Sequence, residues 1–126
     1  MAAPATVDEY IAGFPPEVAE RLVRVRAEIV DAVTGATGTR PEEKVRYGIA
    51  AIMLGGRYAL HFAGWKKHIG LYPVPDLPEP LESEIAPYRA EKDSVVFPHL
   101  KDVPYELIGR IAREIADERV RQSAEG

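Results

Sequence analysis

Along residues 58–73 apolar and polar positions alternate: Leu60 and Phe62 stand two apart, then Ile69 and Leu71, with Ala59, His61, Ala63, His68, Gly70 and Tyr72 at the intervening positions. A period of two puts the four large side chains on one face of a β-hairpin and the small and histidine residues on the other. The bulky face calls for helices packed against it, whereas the second face is open to a ligand, a partner or water. With a four-residue turn over 64–67, Ala63 faces His68, Phe62 faces Ile69, Leu60 faces Leu71 and Ala59 faces Tyr72. His61 and His68 then become diagonal neighbours, about 7 to 8 Å apart at the backbone.

The rest of the pattern supplies the covering elements. Thr6, with Glu9 three residues later, makes a capping box for a short helix over 7–12 that Gly13 ends. Pro15 and Pro16 open a longer helix, in which Val18, Leu22, Val25, Ile29 and Val33 recur at spacings of three and four. Glu17, Arg21, Arg24, Glu28 and Asp31 line another side, with Glu17 to Arg21 and Glu20 to Arg24 spaced for ion pairs. The glycine- and threonine-rich stretch 34–39 reads as a loop. Strands follow over 44–47, 49–54, 57–63 and 68–72, with Gly55 and Gly56 suited to the positive φ angles of a tight hairpin turn. Prolines 73, 75, 78 and 80 exclude a central strand and point to a connector, then a short helix over 81–88. The run 94–97 reads as a fifth strand. Pro104 starts a final helix with Leu107, Ile108, Ile111, Ala112 and Ile115 on one side, and 119–126 has too few apolar groups to pack.

The expected fold is therefore α+β: an antiparallel sheet of about five strands with N-terminal and C-terminal helices packed on one face, in a single domain whose core spans about 7–118. Leu22, Ile29, Leu60, Phe62, Ile69, Leu71, Ile108 and Ile111 are the expected core. At 126 residues, 46% hydrophobic and 29% charged, the composition is that of an ordinary globular domain. A net charge of −4 argues against nucleic acid as a partner. The lack of cysteine excludes disulfides, a thiolate nucleophile and thiolate metal ligands. No apolar run approaches the roughly 20 residues of a membrane span and the first residues lack a secretory pattern, so the sequence predicts a cytoplasmic protein.

Candidate chemistry gathers around the hairpin. His61 and His68 are imidazoles for one metal or anion, Tyr72 shares their face, and Trp65, Lys66 and Lys67 join an aromatic plane to two cations at the tip. Tyr47, next to Gly48 at a strand junction, is placed to hydrogen-bond into a pocket. Each also has a plainer structural reading: partly exposed strand histidines, solubilising lysines and an amphipathic sheet tyrosine. The sequence contains no Gly-rich phosphate loop, nucleophile elbow or His-Glu-X-X-His motif, which disfavours an enzyme. These residues suit a module for a small anionic ligand or a protein partner. Ala59, Ala63 and Gly70 also offer close approach to a second copy of the chain, giving a homodimer.

Four segments, VDEYIAGFPPE at 7–17, VRYG at 45–48, HFAGWKKHIGLYP at 61–73, and VFP at 96–98 with PYELI at 104–108, together resemble the YdhG-like small bacterial domains, also described as frataxin-like intracellular iron chaperones. The resemblance implies an α+β fold and, for some members, iron binding or delivery to an iron-acceptor protein. Hard iron accepts oxygen ligands, so the carboxylates Asp8, Glu9, Glu17 and Glu20 are the candidates to hold it. They are interleaved with arginines rather than concentrated in a run.

Overall fold

The structure, a computed structural model, describes residues 3–125. Two helices, α1 (Val7–Ala12) and α2 (Pro16–Thr37), precede four strands, β1 (Glu43–Arg46), β2 (Ile49–Leu54), β3 (Arg57–Gly64) and β4 (His68–Tyr72). A short helix α3 (Leu81–Ile85) and a 3-10 turn lead to β5 (Arg89–Glu91) and β6 (Ser94–Pro98), and α4 (Tyr105–Glu125) closes the chain. The sheet is antiparallel in the order β1-β2-β3-β4-β6-β5, with one strand more than the alternation indicated. β5 is only three residues long and pairs irregularly with β6, too short for a period of two to register.

The inner face of the sheet and the stripes of α2 and α4 make the core. Leu22, Ile29, Phe62, Ile69, Leu71, Ile108 and Ile111 are wholly buried and Leu60 nearly so, as the pattern required. Val95 and Phe97 of β6 extend the same layer. Thr6 caps α1 by accepting the Glu9 amide at 3.1 Å.

Four expectations are corrected. α2 runs on to Thr37, because the Thr34 and Thr37 hydroxyls fold back onto the carbonyls of Val30 and Val33 and Gly38, with φ of 80°, closes the helix in the left-handed conformation. α4 continues through 119–125 instead of fraying at Arg119, whose Nη2 donates to the Tyr58 carbonyl at 2.8 Å. The α2 arginines leave the neighbouring glutamates: Arg21 Nη1 donates to the His99 carbonyl at 3.0 Å, and Arg24 lies 3.8 Å over the Tyr105 ring. The fourth is the hairpin register. His61 faces Tyr72, Phe62 faces Leu71, Ala63 faces Gly70 and Gly64 faces Ile69, two residues from the alignment a four-residue turn gives. Trp65 and His68 then close the hairpin through a 2.8 Å bond from the Trp65 amide to the His68 carbonyl, leaving Lys66 and Lys67 as the turn. A shift of two preserves which face each side chain takes, so the same residues form the core in either register.

The proline-rich excursion after β4 is held by one side chain. Arg89 donates to the carbonyls of Val74 and Pro75 at 2.6 and 2.7 Å and pairs with Glu82 at 2.8 Å. These bonds replace the ladder that prolines cannot join.

Replacing Phe62 by alanine empties the centre of this layer and is expected to lower unfolding free energy by about 3 to 5 kcal/mol. Chemical denaturation measures it. A loss below about 1 kcal/mol would mean that Phe62 does not sit in the core.

Candidate functional site

The outer face of the sheet is built around β3. Between Ile52 and Met53 the pairing with β3 slips, so that Ile52 faces Leu60 but Met53 faces Tyr58, leaving Ala59 as an extra residue. This bulge changes the phase of the strand. Tyr58 and His61, three residues apart, share the outer face, and Ala59, expected there, instead lines a hollow with Ile115 of α4. The Tyr58 and His61 rings stack at 5.6 Å with planes 11° apart.

Tyr47 adds a second plane. β1 and β2 are joined by the two-residue turn Tyr47-Gly48, both with positive φ, of 56° and 75°. That conformation suits the twist of a hairpin but strains a bulky residue such as tyrosine. It carries the Tyr47 ring, 81% exposed as a residue, over the sheet to within 6.5 Å of the His61 ring. The Arg46 guanidinium lies 4.6 Å from the Tyr47 ring and 4.0 Å from that of Tyr58, and donates to the Tyr47 hydroxyl at 2.9 Å. Arg46, Tyr47, Tyr58 and His61 thus form one cluster of flat groups. Arg46 and Tyr58 carried no signal as a pair in the sequence, because only the bulge and the turn bring them together.

His61 is the group whose chemistry is incomplete. Its Nδ1 lies 3.2 Å from the Tyr72 carbonyl oxygen. A carbonyl only accepts, so Nδ1 carries the proton and Nε2 is left as an acceptor. Nε2 is buried without a hydrogen-bond partner, in a residue 8% exposed. Burial depresses the pKa of the imidazole below its usual value; the Tyr72 carbonyl opposes that shift and the Arg46 charge adds to it.

Tyr72 lies back along β4 over Gly70, where a Cβ would come within 1.9 Å of the Tyr72 hydroxyl, and that hydroxyl accepts the Trp65 Nε1 hydrogen at 2.9 Å. Glycine is required at 70 by this close approach. Gly70 lies beneath the Tyr72 ring, Ala63 is buried and Ala59 is turned inward, so none of these three small residues is exposed on this face. Trp65, expected to serve as a partner for the lysine cations, is fixed instead by Tyr72. Lys66 and Lys67 are exposed at the tip. His68 pairs with Pro98 at the far end of β4, four residues from Tyr72, so it stands roughly 13 Å along the strand from His61 and does not share a site with it.

His99, passed over in the sequence, ties the tip down. Arg21 Nη1 donates to its Nδ1 at 3.1 Å, so the proton is on Nε2, which donates to the Trp65 carbonyl at 2.8 Å. The His99 amide also donates to the Lys67 carbonyl at 2.9 Å. The contacts join residues 34 and 32 positions apart, and no local spacing announces them.

The acidic candidates are dispersed. Asp8 pairs with Arg26, which also holds Glu43, and the Glu9 carboxylate turns back on the capping threonine. Glu17 and Glu20 line a shallow groove together with Arg21, Arg24 and Lys101. Among the described residues no three of His, Cys, Asp and Glu come together in a way that fits a metal ion.

No family model matches the sequence, and no curated protein matches it. Among solved structures the chain is similar to YdhG of Bacillus subtilis, a protein of the DUF1801 family, with a TM-score of 0.64, 19% sequence identity, and 95% of this chain and 92% of that one covered. The likeness is one of fold, which carries no site with it. No helix among the described residues is long and apolar enough to cross a membrane.

The depressed pKa of His61 makes a prediction about acid. In the unfolded chain its imidazole takes up a proton near the ordinary value of 6.5, while the folded protein resists doing so until lower pH. The unfolded state then binds more protons, and stability falls as pH drops from that value through the folded pKa. Above it the contribution is complete. Denaturation midpoints measured across this range should fall with acid in the wild type and fall less in His61→Gln; equal slopes would exclude His61 as the source.

Proposed function

We propose that the chain is a non-enzymatic binding module of the DUF1801, YdhG-like kind, and that its outer sheet face takes a flat, anionic small molecule bearing an N–H or O–H donor. The observation that carries this reading is the buried, unpartnered Nε2 of His61. A buried acceptor without a donor costs about 1 to 3 kcal/mol, a cost that a donor on the ligand removes. Arg46 supports the anionic part, since its charge has no carboxylate partner within 4.0 Å among the described residues. Tyr58 supplies a plane for a flat body, and the exposed Tyr47 ring lies over His61, 6.5 Å between centroids. Binding displaces the Tyr47 ring and puts the ligand in its place. The other ring nitrogen of His61 donates to a backbone carbonyl, which orients the imidazole but cannot relay a proton, and this favours recognition over acid–base catalysis.

Family membership rests on the four quoted segments together with the likeness of fold. Iron delivery, implied by the same resemblance, lacks a ligand set among the described residues: Asp8 and Glu9 are engaged with Arg26 and Thr6, and Glu17 and Glu20 share a groove with Arg21, Arg24, Lys101 and Asp102. The anion-binding reading therefore takes precedence.

Titration with 4-hydroxybenzoate, followed by the NMR resonances of His61 and Tyr47, is expected to saturate with a Kd on the order of 1 mM, in keeping with a ligand of about ten heavy atoms. His61→Gln and Arg46→Gln should each weaken it while the fold is retained. Saturation unaffected by either substitution would reject the site. For iron, anaerobic calorimetry of the metal-free protein with ferrous ion is expected to give no saturable heat at tens of micromolar; tight binding abolished by removing Glu17 and Glu20 would restore the delivery role.

A further inference from the structure

A second groove, away from the outer face, lies between the last turns of α4, the β2–β3 turn and the C-terminal end of α2. It encloses about 510 Å³ and is lined by Thr37, Gly55, Arg57, Arg119, Gln122 and Ser123, along with two aliphatic side chains. Cavities of this size accommodate small organic ligands.

Its charge sets it apart. The chain has 20 acidic and 16 basic residues, and Arg26, Arg40, Arg89, Arg110, Arg113 and Arg121 all reach carboxylates. Arg57 and Arg119 have no carboxylate within 4.0 Å among the described residues, and both face this groove, whose described lining contains no acid. Arg57 is exposed. Arg119 is half-buried and holds the Tyr58 carbonyl through Nη2, a bond that fixes its guanidinium against the groove wall and leaves other N–H groups of the fork free. The C-terminal ends of α2 and α4 oppose an anion here, each with a partial charge of about −0.5. Two full guanidinium charges outweigh them. The Ser123 hydroxyl adds a neutral donor suited to an oxyanion, and the Gln122 amide, which gives one hydrogen to Glu118 at 3.4 Å, has a second.

We propose that this groove binds a small phosphorylated compound through Arg57 and Arg119, with the phosphate held by the two guanidinium forks and the remainder of the molecule lying against Thr37, Gln122 and Ser123. Arginine suits this ligand because its planar fork donates two parallel hydrogen bonds to one phosphate. The site is independent of the one around His61: the two share no side chain, and the ligand classes differ in what must be satisfied.

Calorimetric titration of the whole chain with pyrophosphate tests it, with ionic strength matched by sodium chloride so that general screening is constant. Saturable binding is expected, with a Kd on the order of 1 mM, the affinity that a few charge-assisted hydrogen bonds supply. Arg57→Gln should weaken it by about tenfold or more, as removal of a charged donor does, without altering the melting temperature, because Arg57 makes no contact that the fold needs. Arg46→Gln should leave it unchanged, which separates this groove from the outer face. No saturable heat at matched ionic strength would overturn the proposal, and so would Arg57→Gln binding like the wild type or Arg46→Gln losing the signal.

Discussion

The fold depends on burying one face of a hairpin. Leu60, Phe62, Ile69 and Leu71 have to leave water together, and the stripes of α2 and α4 join them in one core. Once that layer is closed, both helices are confined to one side of the sheet. The small and aromatic residues are left to cover the other side by themselves, and most of what is distinctive about the protein is found there. Tyr72 folds along its strand over Gly70, Tyr58 lies on His61, and Tyr47 reaches across from a strained turn.

Much of the architecture was legible in the residues, because burial writes itself into periodicity. The alternation of β3 and β4 and the three-and-four spacing of Leu22, Ile29, Ile108 and Ile111 report an energetic requirement of about 25 cal/mol per Å² of apolar surface, and chance seldom imitates it. What escaped has other causes. β5 is too short to have a period. Thr34 and Thr37 look like loop residues by composition, yet their hydroxyls find acceptors inside the helix. The hairpin register turned on whether the tip had two or four residues, and that choice is made by the Trp65 and His68 backbone pair together with the His99 amide, 32 positions from Lys67.

The candidate site was half visible. His61, Tyr47, Trp65 and Tyr72 were all singled out and all lie on or beside the outer face, while His68 was set too close to His61 by the wrong register. Arg46 and Tyr58 were missed, since nothing in the local spacing tells that a bulge will bring Tyr58 into phase with His61. The carboxylates illustrate the opposite problem: Asp8, Glu9, Glu17 and Glu20 are near one another in sequence but are drawn off singly by Arg26, a capping threonine and a groove of mixed charge. Proximity along the chain does not survive competition from better partners in space.

The extra residue at Ala59 works as a shift of reading frame within a strand. On the hairpin side of it, odd positions face outward; on the β2 turn side, even ones do, so a single β-strand presents His61 and Tyr58 together though no regular alternation allows it. The outer face is therefore specified by a count of residues as much as by their identities. With the same residues in regular pairing and no extra residue left over at Ala59, Tyr58, three positions from His61, would fall on the helical side and leave His61 without the plane that covers it. In a chain of this fold, length between two landmarks carries information that composition does not.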